Sequence, residues 1–171
     1  LCDLPYGTTA CEWDTVIPFE PLWEQYERVI KDNRAIVLTA TQPFASALIM
    51  SKPDWFKYEW VWDKVRPSGF QISKYKPMQR HENVLVFSKE GKRVNYFPVM
   101  ESRDKPITGK VYGRSDSSPL AYSDGRKRTY INKNPQSILK YIKPSESLHP
   151  TQKPVALFEY LIKTYTQPGE I

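Results

Sequence analysis

Asp3-Leu4-Pro5-Tyr6-Gly7 follows a short apolar lead-in, Leu1-Cys2. Read physically, a strand ends on a carboxylate and the chain then turns sharply. Pro5 fixes φ and Gly7 tolerates backbone angles closed to other residues, so the turn is rigid and can approach whatever lies above it. Tyr6 adds a flat face beside the carboxylate. An acceptor group next to a stacking surface suits a planar substrate that carries an amino group. By itself such a stretch is also an ordinary strand-to-turn junction. A second chemical cluster lies far downstream, His149-Pro150-Thr151-Gln152-Lys153-Pro154. It offers a hydroxyl and an ammonium at the start of a helix, with Pro154 suited to the first turn.

The elements between the two clusters can be read from periodicity. Pro18 and Pro21 open a helix in which Phe19, Leu22, Trp23, Tyr26, Val29 and Ile30 recur at helical spacing. Ala35–Thr39 is a continuous apolar run, the pattern of a strand covered on both faces. Strand, helix, strand makes a β-α-β unit, so Leu1–Cys2 and Ala35–Thr39 are predicted to be parallel neighbours. Pro43–Met50 reads as a short helix. Phe56–Trp62 and Glu82–Ser88 read as strands, joined by a basic connection, Asp63–Arg80, without a good helix, and the second is expected to run antiparallel. Residues 135–142 fit a short strand or a helix equally well. Val155, Phe158, Leu161, Ile162 and Tyr165 form the core stripe of a last helix, which stops before Pro168-Gly169. The chain then ends at what reads as the approach to a further strand, and is expected to be a piece of a longer one.

The length of 171 residues allows one domain with a proper core. No run reaches the roughly 18 apolar residues of a membrane span, and the start lacks the pattern of a signal peptide. Two cysteines, Cys2 and Cys11, lie close together. They fit a reducing compartment better than a disulfide framework, so the chain reads as cytoplasmic. The net charge of +6 is unevenly placed: residues 92–133 hold ten Lys or Arg against four Asp or Glu, and the remainder holds fifteen of each. The entire excess falls in one segment, as expected for contact with a polyanion. Residues 91–134 show no periodicity and are expected to form an irregular basic insertion. It separates residues 1–90 from residues 135–171 of one α/β domain.

Together the two clusters resemble the amino-methylating DNA methyltransferases. The order, catalytic turn first, is that of their permuted "beta" group. Ala35–Phe44 is similar to that family's strand ending in a Gln-Pro-Phe turn, and His81-Glu82-Asn83-Val84-Leu85-Val86-Phe87 to its late antiparallel strand. The resemblance covers nearly everything except residues 91–134, where the family's target-recognition region lies. It implies a Rossmann-like methyltransferase sheet, parallel with an antiparallel edge strand and incomplete at both ends. It also implies transfer of a methyl group from S-adenosylmethionine to an amino group of a base swung out of double-stranded DNA. The resemblance makes Asp3, Leu4, Pro5 and Tyr6 the catalytic turn. Asp3 would supply a carboxylate and Leu4 a carbonyl to the amino group, and Tyr6 would stack on the base. Asp3, Thr151 and Lys153 would touch the cofactor, and Lys110, Arg114, Arg126, Lys127 and Arg128 the DNA, mainly at phosphates. Leu4 stands where the family usually has a second proline. Aspartate at the first position favours adenine N6 over cytosine N4. The family's glycine-rich cofactor loop, Asp-Pro-Phe-x-Gly-x-Gly-Thr, occurs nowhere in the sequence. The resemblance places it directly after Ile171, so these residues alone are expected to be inactive. A phage or restriction–modification setting and a homodimer are further expectations from the family.

Other readings are weaker. His81 and His149 could act as bases, but a strand-start or surface histidine and a helix-positioning histidine account for them more simply. Two histidines and two cysteines this dispersed make no metal site. A DNA-binding module without catalysis would use the basic segment alone. An RNA or protein methyltransferase could share the Asp-x-Pro-Tyr turn, though Thr151-Gln152-Lys153-Pro154 and the basic segment count against it.

Overall fold

The computed structural model describes residues 1–115, 118–143, 148–149 and 151–170, with only the backbone described within 112–124. The chain divides into two compact units: residues 1–97 with 136–171, and residues 98–135.

The first unit holds a five-stranded sheet in the order β1-β2-β4-β3-β7: β1 (Cys2–Asp3), β2 (Ile36–Ala40), β3 (Phe56–Ser68), β4 (Gln79–Phe87) and β7 (Ile138–Lys140). β1 pairs with β2 in parallel, as the β-α-β reading requires, and β3 with β7 in parallel. β4 is the antiparallel strand, bonded to β2 on one side and to β3 on the other. The described sheet is thus mostly parallel, with β3 and β7 continuing beyond β4. The segment 135–142 resolves as a strand at Ile138–Lys140.

Strand alternation assigns the two faces. Ile36, Leu38, Ala40, Leu85 and Phe87 turn toward helices α1 (Phe19–Val29) and α2 (Phe44–Ser51), packing with Trp23, Phe44 and Leu48. Val37, Val84, Val86, Trp60 and Trp62 turn the other way, onto Leu157, Leu161 and Tyr165 of α3 (Val155–Tyr165). A sheet covered on both faces explains why β2 reads as an unbroken apolar run. Three polar contacts fix α3: the Tyr165 hydroxyl accepts from Trp60 Nε1 at 2.7 Å and shares a proton with the Tyr58 hydroxyl at 3.0 Å, and Phe97 N–H donates to the Thr164 carbonyl at 2.8 Å. Burial pushes the Tyr165 phenol well up, so it stays a protonated donor and acceptor.

The second unit corrects one expectation. In place of an irregular insertion there is a long antiparallel hairpin, β5 (Glu101–Ser115) and β6 (Ser118–Lys133). Its side chains are largely exposed where described, so neither face needed apolar alternation. Its sequence therefore looks unstructured to a periodicity reading although its backbone is paired. The register slips between Ser102 and Ile107 and again between Lys110 and Tyr112, which marks bulges.

Candidate active site

The parallel pairing of β1 and β2 puts Asp3 directly beside Thr39, at the carboxyl ends of both strands. Open α/β sheets bind their ligands at such ends. Thr39 is fully buried and its hydroxyl donates to Asp3 Oδ1. The Tyr6 hydroxyl, returned by the turn, donates to the same oxygen at 3.0 Å. Burial first and the Asp3 charge second push the Tyr6 phenol well up, so it remains the donor. The Tyr6 ring stacks on Phe44 with centroids 5.4 Å apart.

A cation completes the arrangement from the far end of the chain. Lys153, just before α3, places Nζ 3.0 Å from both Asp3 oxygens and 5.2 Å from the Tyr6 ring centroid. The same ammonium lies 3.5 Å from Oε2 of Glu82, whose Oε1 accepts from Lys64 Nζ at 3.0 Å. Glu82 pairs with Trp62 across β4 and β3, two residues beyond Val84, so it faces the α3 side. Asp3, Lys153, Glu82 and Lys64 thus form a row of alternating charges. The Lys153 side chain is only 8% exposed and Asp3 31%, so a substrate can reach the carboxylate but barely the ammonium. Oε2 of Glu82 is buried and, among the described residues, has no hydrogen-bond donor and just the Lys153 ammonium at ion-pair range.

The turn itself is held by Asp14. One oxygen accepts from the Gly7 amide at 2.9 Å, and the other from the amides of Thr8 at 2.9 Å and Thr9 at 2.7 Å. Hydrogen bonds from the Thr9 side chain and these amides hold the Asp14 carboxyl down at about 2. Gly7 has φ of +67°, and a Cβ there would lie 2.8 Å from Cγ2 of Val16, so the turn requires glycine twice over.

These groups line an open cleft of about 700 Å3, a volume in the range of small-molecule sites. Trp13 and His149 stand on its wall with ring centroids 5.3 Å apart. His149 Nδ1 is 3.0 Å from the Thr151 hydroxyl and accepts from the Thr151 amide at 3.3 Å, so this histidine shapes the turn before α3. His81 is exposed on β4. Among the described residues no cluster could hold a metal ion, and both cysteines are free thiols.

Of the residues singled out by sequence, Asp3, Leu4, Pro5, Tyr6, Thr151 and Lys153 come together at this cleft. Pro150 lies outside the described residues. Lys110, Arg126, Lys127 and Arg128 are exposed on the hairpin of the second unit, with Lys110 directly opposite Lys127 and Gly109 opposite Arg128. The side chain of Arg114 lies outside the described residues. Sequence reasoning passed over Thr39, Glu82, Lys64 and Asp14. Glu82 alone left a signal, an acid set against the apolar run Val84–Phe87.

No helix among the described residues is long and apolar enough to cross a membrane. No curated protein matches the chain. A solved structure, described as the crystal structure of the M1.HpyAVI–SAM complex, matches with a TM-score of 0.53 at 20% identity, over 97% of this chain and 65% of that one. That likeness supports the fold, a methyltransferase-type α/β sheet, and this chain spans about two thirds of that neighbour's length. The model of a family described as DNA methylase matches residues 4–171, from the residue after the Asp3 carboxylate to the last one. A match of that extent settles the family: the chain belongs to the DNA methylases that modify N6 or N4 amino groups.

Proposed function

We propose that the cleft methylates the exocyclic N6 amino group of an adenine turned out of duplex DNA. The observation that carries this reading is the bonding capacity of Asp3. A carboxylate accepts about four hydrogen bonds, and the described donors are three: Tyr6, Thr39 and Lys153. One acceptor site is left on a carboxylate that stays accessible. An exocyclic amino nitrogen is a weak nucleophile because its lone pair is delocalised into the ring. With one N–H held by Asp3 and the other by the Leu4 carbonyl, the lone pair is localised and directed out of the ring plane. Tyr6 keeps the base flat beside that acceptor pair, so orientation supplies a large part of the rate.

The donor set also fits S-adenosylmethionine, the molecule with which the structural neighbour was crystallised as a complex. An ammonium, a hydroxyl and a carboxylate within one cleft match the opposite charges of an amino-acid end. Lys153 and Thr151 would hold it next to Asp3, whose one open acceptor site serves the base, and when bound it supplies an electrophilic methyl group. The glycine-rich loop that the family uses for the rest of the cofactor is not in this sequence, so we expect the 171 residues alone to be inactive.

The basic hairpin would carry the duplex, with Lys110, Arg114, Arg126, Lys127 and Arg128 on phosphates. Facing Lys110 and Lys127 repel one another unless an anion lies between or above them. A soluble cytoplasmic enzyme of phage or restriction–modification type, acting as a homodimer, completes the reading.

The test is methyl transfer from labelled S-adenosylmethionine to unmethylated plasmid DNA by the full-length protein, followed by nucleoside analysis. N6-methyldeoxyadenosine is expected, whereas N4-methyldeoxycytidine would move the substrate to cytosine. Asp3→Ala should abolish incorporation; transfer that persists undiminished removes Asp3 from the mechanism.

A further inference from the structure

Between Asp63 and Glu82 the chain has no carboxylate, yet it carries Lys64, Arg66, Lys74, Lys76 and Arg80. Lys64 is bound to Glu82 and Arg80 to Asp63. Arg66, Lys74 and Lys76 have no acidic partner among the described residues. The same tip exposes two rings, Phe70 at 76% and Tyr75 at 88%. Neither packs on any other ring of the described residues. The tip is nonetheless ordered by its own backbone: Gly69 starts a helical turn at φ of +90°, the Ile72 carbonyl accepts from the amides of Tyr75 and Lys76, and the Phe70 carbonyl from that of Ser73. Exposed rings on an ordered turn free of carboxylates suit a partner that is both anionic and aromatic.

The position narrows the partner. The tip springs from Ser68 and Gln79, which pair with each other across β3 and β4 and themselves line the cleft. Whatever touches Phe70 and Tyr75 therefore lies close to the mouth of the cleft. An acidic polypeptide could offer anions and rings, but only the nucleic-acid substrate has to lie beside the cleft whenever the site works. Duplex DNA supplies both once a base has left its stack: phosphates along the backbone, and base faces bared at the gap.

We infer that the β3–β4 tip is a second DNA-contacting element, in which Lys74 and Lys76 bind phosphates and Phe70 and Tyr75 cover the bases bared when the target base is turned out. This rests on the function proposed above. It goes further by assigning stabilisation of the opened duplex to the first unit itself and not to the hairpin. Aromatic rings inserted at or stacked on opened base steps are a general means of holding distorted duplexes.

The full-length protein is tested on unmethylated plasmid DNA and on the same DNA after heat denaturation. Because the rings are exposed, Phe70→Ala with Tyr75→Ala should melt with the wild type. On duplex DNA the double variant should lose transfer by the worth of a stacked base, about 5- to 150-fold. On denatured DNA, where no gap is left to fill, it should lose clearly less. Equal losses on both, or no loss, overturn the inference, as does a change of oligomeric state, which would make the rings a protein interface. Lys74→Gln with Lys76→Gln should lower the slope of log affinity against log salt by about two. An unchanged slope overturns the phosphate contacts, and this binding arm holds whether or not transfer is seen. If wild-type protein methylates neither substrate while Lys74→Gln with Lys76→Gln still lowers the slope by about two, the proposed reaction fails and the phosphate contacts stand.

Discussion

Replacing Lys153 by methionine isolates the cation at the centre of the charge row. The stem of Met fills nearly the same space, so the loss is electrostatic. Removing one partner of a buried ion pair costs about 3–5 kcal/mol when it strands a charge. Here neither carboxylate is wholly stranded: Glu82 keeps Lys64 at 3.0 Å, and Asp3 keeps the hydroxyls of Tyr6 and Thr39. The cost should accordingly be about 2–3 kcal/mol, at or just below the lower limit of that range. For a chain of this size it lowers the melting temperature by about 5–10 °C. All five tryptophans lie in residues 1–97, so their fluorescence reports unfolding of the first unit alone. Glu82→Gln in the Lys153→Met background should recover part of the loss, because it removes the charge of a carboxylate whose buried Oε2 would otherwise have neither donor nor counter-ion. In the wild-type background it should destabilise. A melting temperature within a degree of wild type for Lys153→Met, or a cycle in which the two losses simply add, would refute the reasoning.

Gly7→Ala should destabilise by about 1–3 kcal/mol, and Val16→Ala should relieve only the clash, leaving the roughly 1–2 kcal/mol left-handed backbone cost visible in urea titrations. Asp14 has a carboxyl lowered in the folded state to about 2. Its contribution is therefore complete above the unfolded carboxylate range near pH 4 and is lost as pH falls toward 2; Asp14→Asn should flatten stability across that window, measured by melts at successive pH values. Neutralising Lys110, Lys127 and Arg128 together should reduce the salt slope of DNA binding by about three, read by fluorescence anisotropy, with little effect on melting of the tryptophan-bearing unit.

What could be read in advance follows a physical division. Val37, Leu38, Val84 and Val86 betray their strands because burial on both faces leaves only apolar residues, and Val155–Tyr165 betrays its helix by a stripe. Asp3 and Lys153 were legible because the residues around them have restricted backbones: prolines and a glycine mark where the chain must turn. Thr39 and Glu82 were not, since their roles depend on which strand lies next to which, and pairing across the sheet leaves no trace in the spacing of residues. The hairpin escaped for the opposite reason. Strands that bury neither face need no alternation, so Thr108–Lys110 and Lys127–Thr129 look like loop while forming a ladder.

The bond between Asp3 and Lys153 spans 150 positions of the chain. Its consequence lies in time as well as in space. At ordinary rates of synthesis the ammonium leaves the ribosome about 8–30 s after the carboxylate it must meet. Contacts this distant in sequence form late, after nearer ones have paid for closing the chain. A growing polypeptide thus carries the Asp3 turn long before it carries the cation that finishes it. The row of charges around the acceptor turn is therefore complete only once α3 has been made and has docked.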